Sequence, residues 1–141
     1  MHYSRIALAG VVAWVVDSLY GYLVYARLLA ADFGANPGAF RAAADQNLPL
    51  IFVGTLIGML TLAFVYAKGY EGGPGIPEGL RFGAVFGVFM TGYVSLGNYA
   101  TLNITGDLAV KFGAAAFVEM IVVGAALGAV YKAGVGGSTG R

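Results

Sequence analysis

The chain has 141 residues, of which 59% are hydrophobic and 11% charged. With a mean hydropathy of +0.78 it is too apolar for a domain whose whole surface meets water, so a single integral membrane domain over residues 1–141 is expected. A net charge of +1 offers no basic stripe for nucleic acid. The absence of cysteine excludes disulfides, thiolate metal sites and CxxC redox chemistry, and one histidine, His2, argues against an all-protein His-rich metal or haem site.

The first long apolar run, residues 6–31, is interrupted only by Asp17, Ser18 and Arg27 and is expected to span the bilayer. Leu29-Ala30-Ala31 could pass for a signal-peptidase site. The run is too long for a signal peptide, however, and holds an acid at its centre and Arg27 beside the supposed cut, so an uncleaved helix is expected. The polar connection that follows contains Asn36-Pro37 and then Gly38 to Asp45, with Arg41 and Asp45 at i, i+4. It reads as a short helix lying on the membrane surface.

A second span is expected over 48–67, opened by Asn47 and Pro49 and carrying Gly54-xxx-Gly58, the small-residue spacing that lets helices approach closely. Packing within the chain is the plainer expectation for this pair, and a dimer face the alternative. Residues 68–79 are dense in Gly and Pro and read as a turn. They lack the order of a phosphate-binding loop, and Glu71 and Glu78 would repel an anion.

The third span, 80–102, carries Gly83-xxx-Gly87 and ends in the polar group Ser95, Asn98 and Tyr99. Asn103-Ile-Thr105 matches a glycosylation sequon but lies too close to the bilayer to serve as one. Asp107 reads as the N-cap of a fourth span, 108–131, which holds Lys111, Glu119 and Gly124-xxx-Gly128. A glycine-rich tail, 132–141, is expected to fray.

The expected fold is therefore all-α: four transmembrane helices in an up-down-up-down bundle. Both termini then share a side carrying five basic residues, Arg5, Lys68, Arg81, Lys132 and Arg141, against three opposite, Arg27, Arg41 and Lys111. The positive-inside rule places that side in the cytoplasm. Ser18-Leu-Tyr-Gly-Tyr22 echoes Ser95-Leu-Gly-Asn-Tyr99, and Val65-Tyr-Ala-Lys-Gly69 echoes Val130-Tyr-Lys-Ala-Gly134, which admits two repeated hairpins about an axis along the membrane normal.

The chemical anomaly is Asp17, since an aspartate at the middle of a transmembrane helix costs about 3 kcal/mol on insertion scales. Glu119 falls at nearly the same depth on the fourth helix, a neighbour of the first in such a bundle. No cation is in reach, with Arg27 about 15 Å from Asp17 along its helix and Lys111 about 12 Å from Glu119. The two acids must share a proton, meet a hydroxyl or water, hold a cation, or be satisfied by another chain. They are candidates for proton or cation handling, or for helix pairing alone. Trp14, Tyr20, Tyr22, Tyr93, Asn98 and Tyr99, with Tyr25 and Arg27 nearby, could line a pocket for a lipid, quinone or pigment. An interfacial aromatic belt is the simpler reading.

Lys68-Gly-Tyr-Glu-Gly-Gly followed by Glu78-Gly-Leu-Arg-Phe-Gly83 resembles a pattern in small bacterial four-span membrane proteins of no assigned activity. The likeness covers this loop and the general layout, and implies a multi-pass protein of the bacterial inner membrane. Quinone-reducing vitamin K epoxide reductases need a CxxC that this chain lacks. Small multidrug exporters place a glutamate in their first span, and Asp17 is only loosely similar to that arrangement.

Abundant packing motifs beside few reactive groups lead to the expectation of a non-catalytic membrane subunit with no cofactor and no metal, partnered by the lipid bilayer and by other membrane subunits or itself. Gly54, Gly58, Gly83, Gly87, Gly124 and Gly128 would be its contact surfaces. The alternatives are a small proton- or cation-coupled carrier or channel using Asp17 and Glu119, and a binder of a hydrophobic ligand.

Overall fold

A computed structural model describes the backbone of residues 2–135 and the side chains of residues 2–131. Residues 136–141 of the glycine-rich tail lie outside the described residues. Four helices are long and apolar enough to cross a membrane: span 1 (Tyr3–Leu28), span 2 (Leu48–Gly69), span 3 (Gly75–Thr101) and span 4 (Gly106–Tyr131). At about 1.5 Å per residue each is at least about 33 Å long, enough for a hydrocarbon core of about 30 Å. Their alternation makes an all-α bundle, and the described residues form no β-strand, only an isolated bridge between Pro37 and Phe40.

The helix ends follow local chemistry. Asn47 caps span 2, its side chain accepting the Leu50 N–H at 3.0 Å, with a proline in the first turn. Span 3 begins at Gly75, five residues before the expected start, because Pro77 falls in its first turn, where a missing N–H costs nothing. Span 4 is capped by Thr105, whose hydroxyl accepts the Leu108 N–H at 3.3 Å, and not by Asp107, which lies inside the helix. The helix of span 4 continues through Val135.

Spans 1 and 3 each contain a widened π-helical turn, Val24–Leu28 and Thr91–Leu96. In both, hydroxyls reach span 4: Thr91 donates to the Gly113 carbonyl (3.2 Å) and Ser95 to that of Ala109 (3.0 Å), while Tyr25 donates to Glu119.

In space the helices run in the order 2, 1, 4, 3. Span 3 packs most extensively on span 4, span 1 packs on both span 2 and span 4, and spans 2 and 3 have no comparable contact. The two hairpins suggested by the internal echo are present. The packing between them is unequal, however, because a two-fold axis along the membrane normal would pair spans 2 and 3 as closely as it pairs spans 1 and 4.

The spans 3 and 4 seam is made of glycine. A methyl group added at Gly79 or Gly83 would collide with the backbone of Gly124 or Met120, and one at Gly124 or Gly128 with the backbone of Gly79, Gly83 or Gly75. Gly87 lies against Phe117. The expected contact role of Gly83, Gly87, Gly124 and Gly128 is thus filled within the chain. Gly54 and Gly58 are different: a methyl at either would meet nothing within 4 Å. Span 2 approaches span 1 through another face, where Gly10 sits against Leu60 and Ala63, so intrachain packing is corrected for this pair. The shared core gathers at the end where span 1 starts, around Ile6, Ala13, Leu62, Tyr66, Val123 and Leu127.

The first connection departs from expectation. Its short helix is Ala30–Gly34, and the Gly38–Asp45 stretch holds only a 3-10 turn at Ala43–Asp45. Gly38 adopts a φ of +83°, which breaks a right-handed helix. Asn36, almost fully buried, instead donates to the Asp32 carbonyl and accepts the Thr105 N–H, both at 2.8 Å. Phe33 and Phe40 cover Ile104 and Leu108, so the connection folds onto the turn between spans 3 and 4. Lys111 ties it there through ion pairs to Asp32 (2.6 Å) and Asp107 (2.7 Å), whereas Arg41 and Asp45 remain exposed and unpaired among the described residues.

Gly83→Leu should wedge spans 3 and 4 apart and lower stability by at least about 2 kcal/mol, the scale of overpacking a tight contact. Gly97→Ala, which meets open space, should leave the thermal midpoint in mild detergent unchanged or slightly higher. Equal midpoints for the two variants would refute a backbone-tight seam.

Candidate functional site

Asp17 and Glu119 meet at the interface of spans 1 and 4, with residual exposures of 7% and 9%. Asp17 lies 14 residues into span 1 and Glu119 lies 12 residues before the end of span 4. These positions are about 21 Å and 18 Å from the same end, near the middle of both helices. Both carboxyl groups are buried in that seam. An ionised carboxylate can only accept a hydrogen bond, so a direct bond between two carboxyls would need a proton. The Tyr25 hydroxyl donates to Glu119 Oε2 at 2.8 Å.

Helix geometry explains why Tyr25 reaches this level. It stands in the widened turn of span 1, and helical side chains lean toward the helix N-terminus, which here is toward Asp17. Tyr20, one turn after Asp17, donates to the Ala115 carbonyl at 2.7 Å, one turn before Glu119. Two tyrosine hydroxyls of span 1 therefore bridge to span 4 by hydrogen bonds near its middle.

An aromatic roof closes the site on the side of the first connection. The ring of Tyr25 meets those of Tyr20, Phe112 and Phe33 at 6.2, 5.7 and 6.5 Å between centroids, and Phe33 meets Phe40 at 5.0 Å. On the opposite side lie Ala13, Met120 and Val123 of the apolar core. No basic side chain among the described residues pairs with either acid: Lys111 is held by Asp32 and Asp107, and Arg27 donates to the Tyr22 hydroxyl at 3.0 Å and stacks on that ring. The described residues include no group of three or more His, Cys, Asp or Glu that could hold a metal. The Ser18 hydroxyl, next in sequence to Asp17, is buried with no hydrogen-bond partner among them.

The six residues considered as ligand-lining are not brought together. Trp14 faces span 2, its indole N–H reaching Thr55 Oγ1 and the Phe52 carbonyl at 3.1 and 3.2 Å. Tyr20 belongs to the acid site. Tyr22 pairs with Arg27 at an exposed position, Tyr93 stacks on Phe89 on the outer surface, Tyr99 is half exposed, and Asn98 is partly buried near it. An apolar groove of about 520 Å3 lies elsewhere, between Val88, Thr91 and Leu96 of span 3 and Ala114, Phe117 and Val118 of span 4.

Tyr25 is the site residue that sequence spacing undervalues. At i+8 from Asp17 it stands about 80° round the helix, at the edge of the same face, and the leaning side chain carries its hydroxyl back toward the level of the acids. Compared with family models, curated proteins and solved structures, the chain matches none.

What this arrangement can do is hold one proton, or one small cation in its place, between two carboxylates and a phenol inside a dry interface. In lipid at neutral pH, infrared spectroscopy should show a protonated carboxyl C=O band that is lost in the double variant Asp17→Asn, Glu119→Gln. The band should shift in Tyr25→Phe, at a stability cost of about 1 kcal/mol for the lost hydrogen bond. Absence of the band in the unmodified protein would mean that the acids do not share a proton.

Proposed function

We propose that the chain is a non-catalytic integral membrane subunit that associates laterally, with a second copy or with another membrane protein, through the open face of span 2. The observation that carries this is the contrast between two sets of identical motifs. Gly83-xxx-Gly87 and Gly124-xxx-Gly128 are both closed in the seam between spans 3 and 4, while Gly54-xxx-Gly58 is bare on the least buried of the four helices. Lipid tails are as apolar as leucine, so helices associate in a bilayer through close van der Waals approach, and a glycine face offers more of it than a bulky one. Leu50, Ile57 and Val53 flank the bare face and are all more than half exposed. The basic bias of the side where span 1 begins and span 4 ends supports an orientation with that side in the cytoplasm.

Because the chain has no cysteine, one introduced at Ile57 reports on a homomeric contact. Ile57→Cys should form a disulfide-linked dimer in membranes, Val110→Cys on span 4 should not, and Gly54→Leu with Gly58→Leu should abolish the link. A purely monomeric protein in mild detergent, with no co-purifying partner, would defeat the proposal.

A second reading rests on the burial of Asp17 and Glu119 in one seam. Two carboxyls at mid-depth without a cationic partner are the minimum for a proton- or cation-coupled carrier, in which opening of the spans 1 and 4 seam exposes the pair to one side at a time. Proton or sodium flux into proteoliposomes should then fall to background in Asp17→Asn and in Glu119→Gln. Flux equal in the unmodified protein and both variants would remove this reading.

A further inference from the structure

Spans 2 and 3 are joined by a short link yet part from each other below it, and the gap is a cleft of about 340 Å3. The cleft has two chemically distinct ends. Phe82, Val85 and Phe86 of span 3 make its apolar floor, and Glu71, Glu78 and Arg81 make its polar mouth. Glu78 is not free to bind anything further. It is buried, and its two oxygens accept the backbone N–H groups of Glu71 (2.7 Å) and Gly73 (2.8 Å), which fixes the link over the cleft.

Arg81 and Glu71 are different. Both line the cleft, both are exposed, and among the described residues neither has an ion-pair partner, although they carry opposite charge. Arg81 lies six residues into a 27-residue span, about 9 Å along the helix. Span 3 is about 40 Å long and overhangs a core of about 30 Å by roughly 5 Å at each end, so the Arg81 backbone sits just inside the hydrocarbon boundary. Its side chain leans toward the N-terminus of span 3, outward to the headgroup level.

We propose that this cleft seats one phospholipid whose headgroup carries both a phosphate and a primary ammonium, the phosphate on Arg81, the ammonium on Glu71 and an acyl chain along Phe82, Val85 and Phe86. Charge complementarity selects the headgroup. A guanidinium pairs with a phosphate through parallel N–H donors, and a carboxylate is matched by the N–H donors of a primary ammonium. A trimethylated ammonium has no N–H to give, and an anionic headgroup without an ammonium would leave Glu71 facing a like charge. The seat uses neither the acid pair nor the glycine face of span 2, so it stands independently of the proposed function.

The test is native mass spectrometry of the detergent-solubilised protein offered phosphatidylethanolamine, phosphatidylcholine and phosphatidylglycerol with identical acyl chains. Phosphatidylethanolamine should be retained in preference to the other two. Arg81→Gln should weaken its retention about tenfold, the loss of one charge-assisted hydrogen bond. Glu71→Gln should erase the preference over phosphatidylcholine, and Val85→Trp, which fills the floor, should reduce retention of every lipid. All three positions are exposed, and unchanged helix content by circular dichroism confirms that the variants fold. Equal retention of the three lipids, or a preference untouched by Arg81→Gln, overturns the assignment. So does displacement of the lipid by soluble phosphoethanolamine, which would make the cleft a site for the free headgroup.

Discussion

The architecture depends on the joint between spans 1 and 4. Spans 1 and 2 hold together through Gly10 and the Trp14 indole, and spans 3 and 4 through their glycine seam. What fastens one hairpin to the other is the middle of the row, where the Tyr25 hydroxyl bonds Glu119 and the Tyr20 hydroxyl bonds the Ala115 carbonyl close to the buried Asp17, with the apolar core packed beyond them. In hydrocarbon a carboxyl group has no water to fall back on, so each of these groups is worth most when it faces the others. The same requirement makes the joint sensitive to charge: two ionised carboxylates in that space would repel each other.

A joint at the centre of a row leaves the row's edges open. Span 2 touches only span 1 along most of its length, and span 3 only span 4, so the link between them closes a gap in place of covering a contact. The chain handles that gap at its mouth. Glu78 turns both oxygens toward the link's own N–H groups, while Tyr66 lays its ring against Phe82 and Tyr131 at 5.1 and 5.9 Å. The result is a rigid rim around an unfilled space, which differs from two helices that merely drift apart.

Much of the fold was legible in the sequence because the bilayer enforces it. Apolar runs long enough to cross, separated by Gly, Pro and Asn, leave little freedom in the number of spans, and the depth of Asp17 and Glu119 follows from counting residues along helices. The pairing of spans 1 and 4 was legible for the same reason. What escaped was every feature set by side-chain reach across the structure. Tyr25 stands at the edge of the Asp17 face, and its bond to Glu119 depends on how far a phenol reaches across the seam. Asn36 and Gly38 direct the first connection onto the turn before span 4, where a helical pattern with an Arg41 to Asp45 pair had suggested a surface helix. Pro77 reads as a breaker by composition, yet it opens a helix. The aromatic residues thought to line one pocket share a depth range, and depth alone does not say on which side of a helix a ring stands.

The glycines show how far sequence reading carries in a membrane protein and where it stops. Three Gly-xxx-Gly pairs look alike on paper, and two of them lie in the seam of spans 3 and 4, where an added methyl group would collide with the facing helix. The third, in span 2, presents the same surface to nothing. A motif whose value lies in close approach contributes no packing energy until a second helix arrives, and a bare glycine is a weaker helix former than alanine. Keeping two of them on the outer face of the most loosely held helix therefore makes physical sense if something outside this chain comes to rest there.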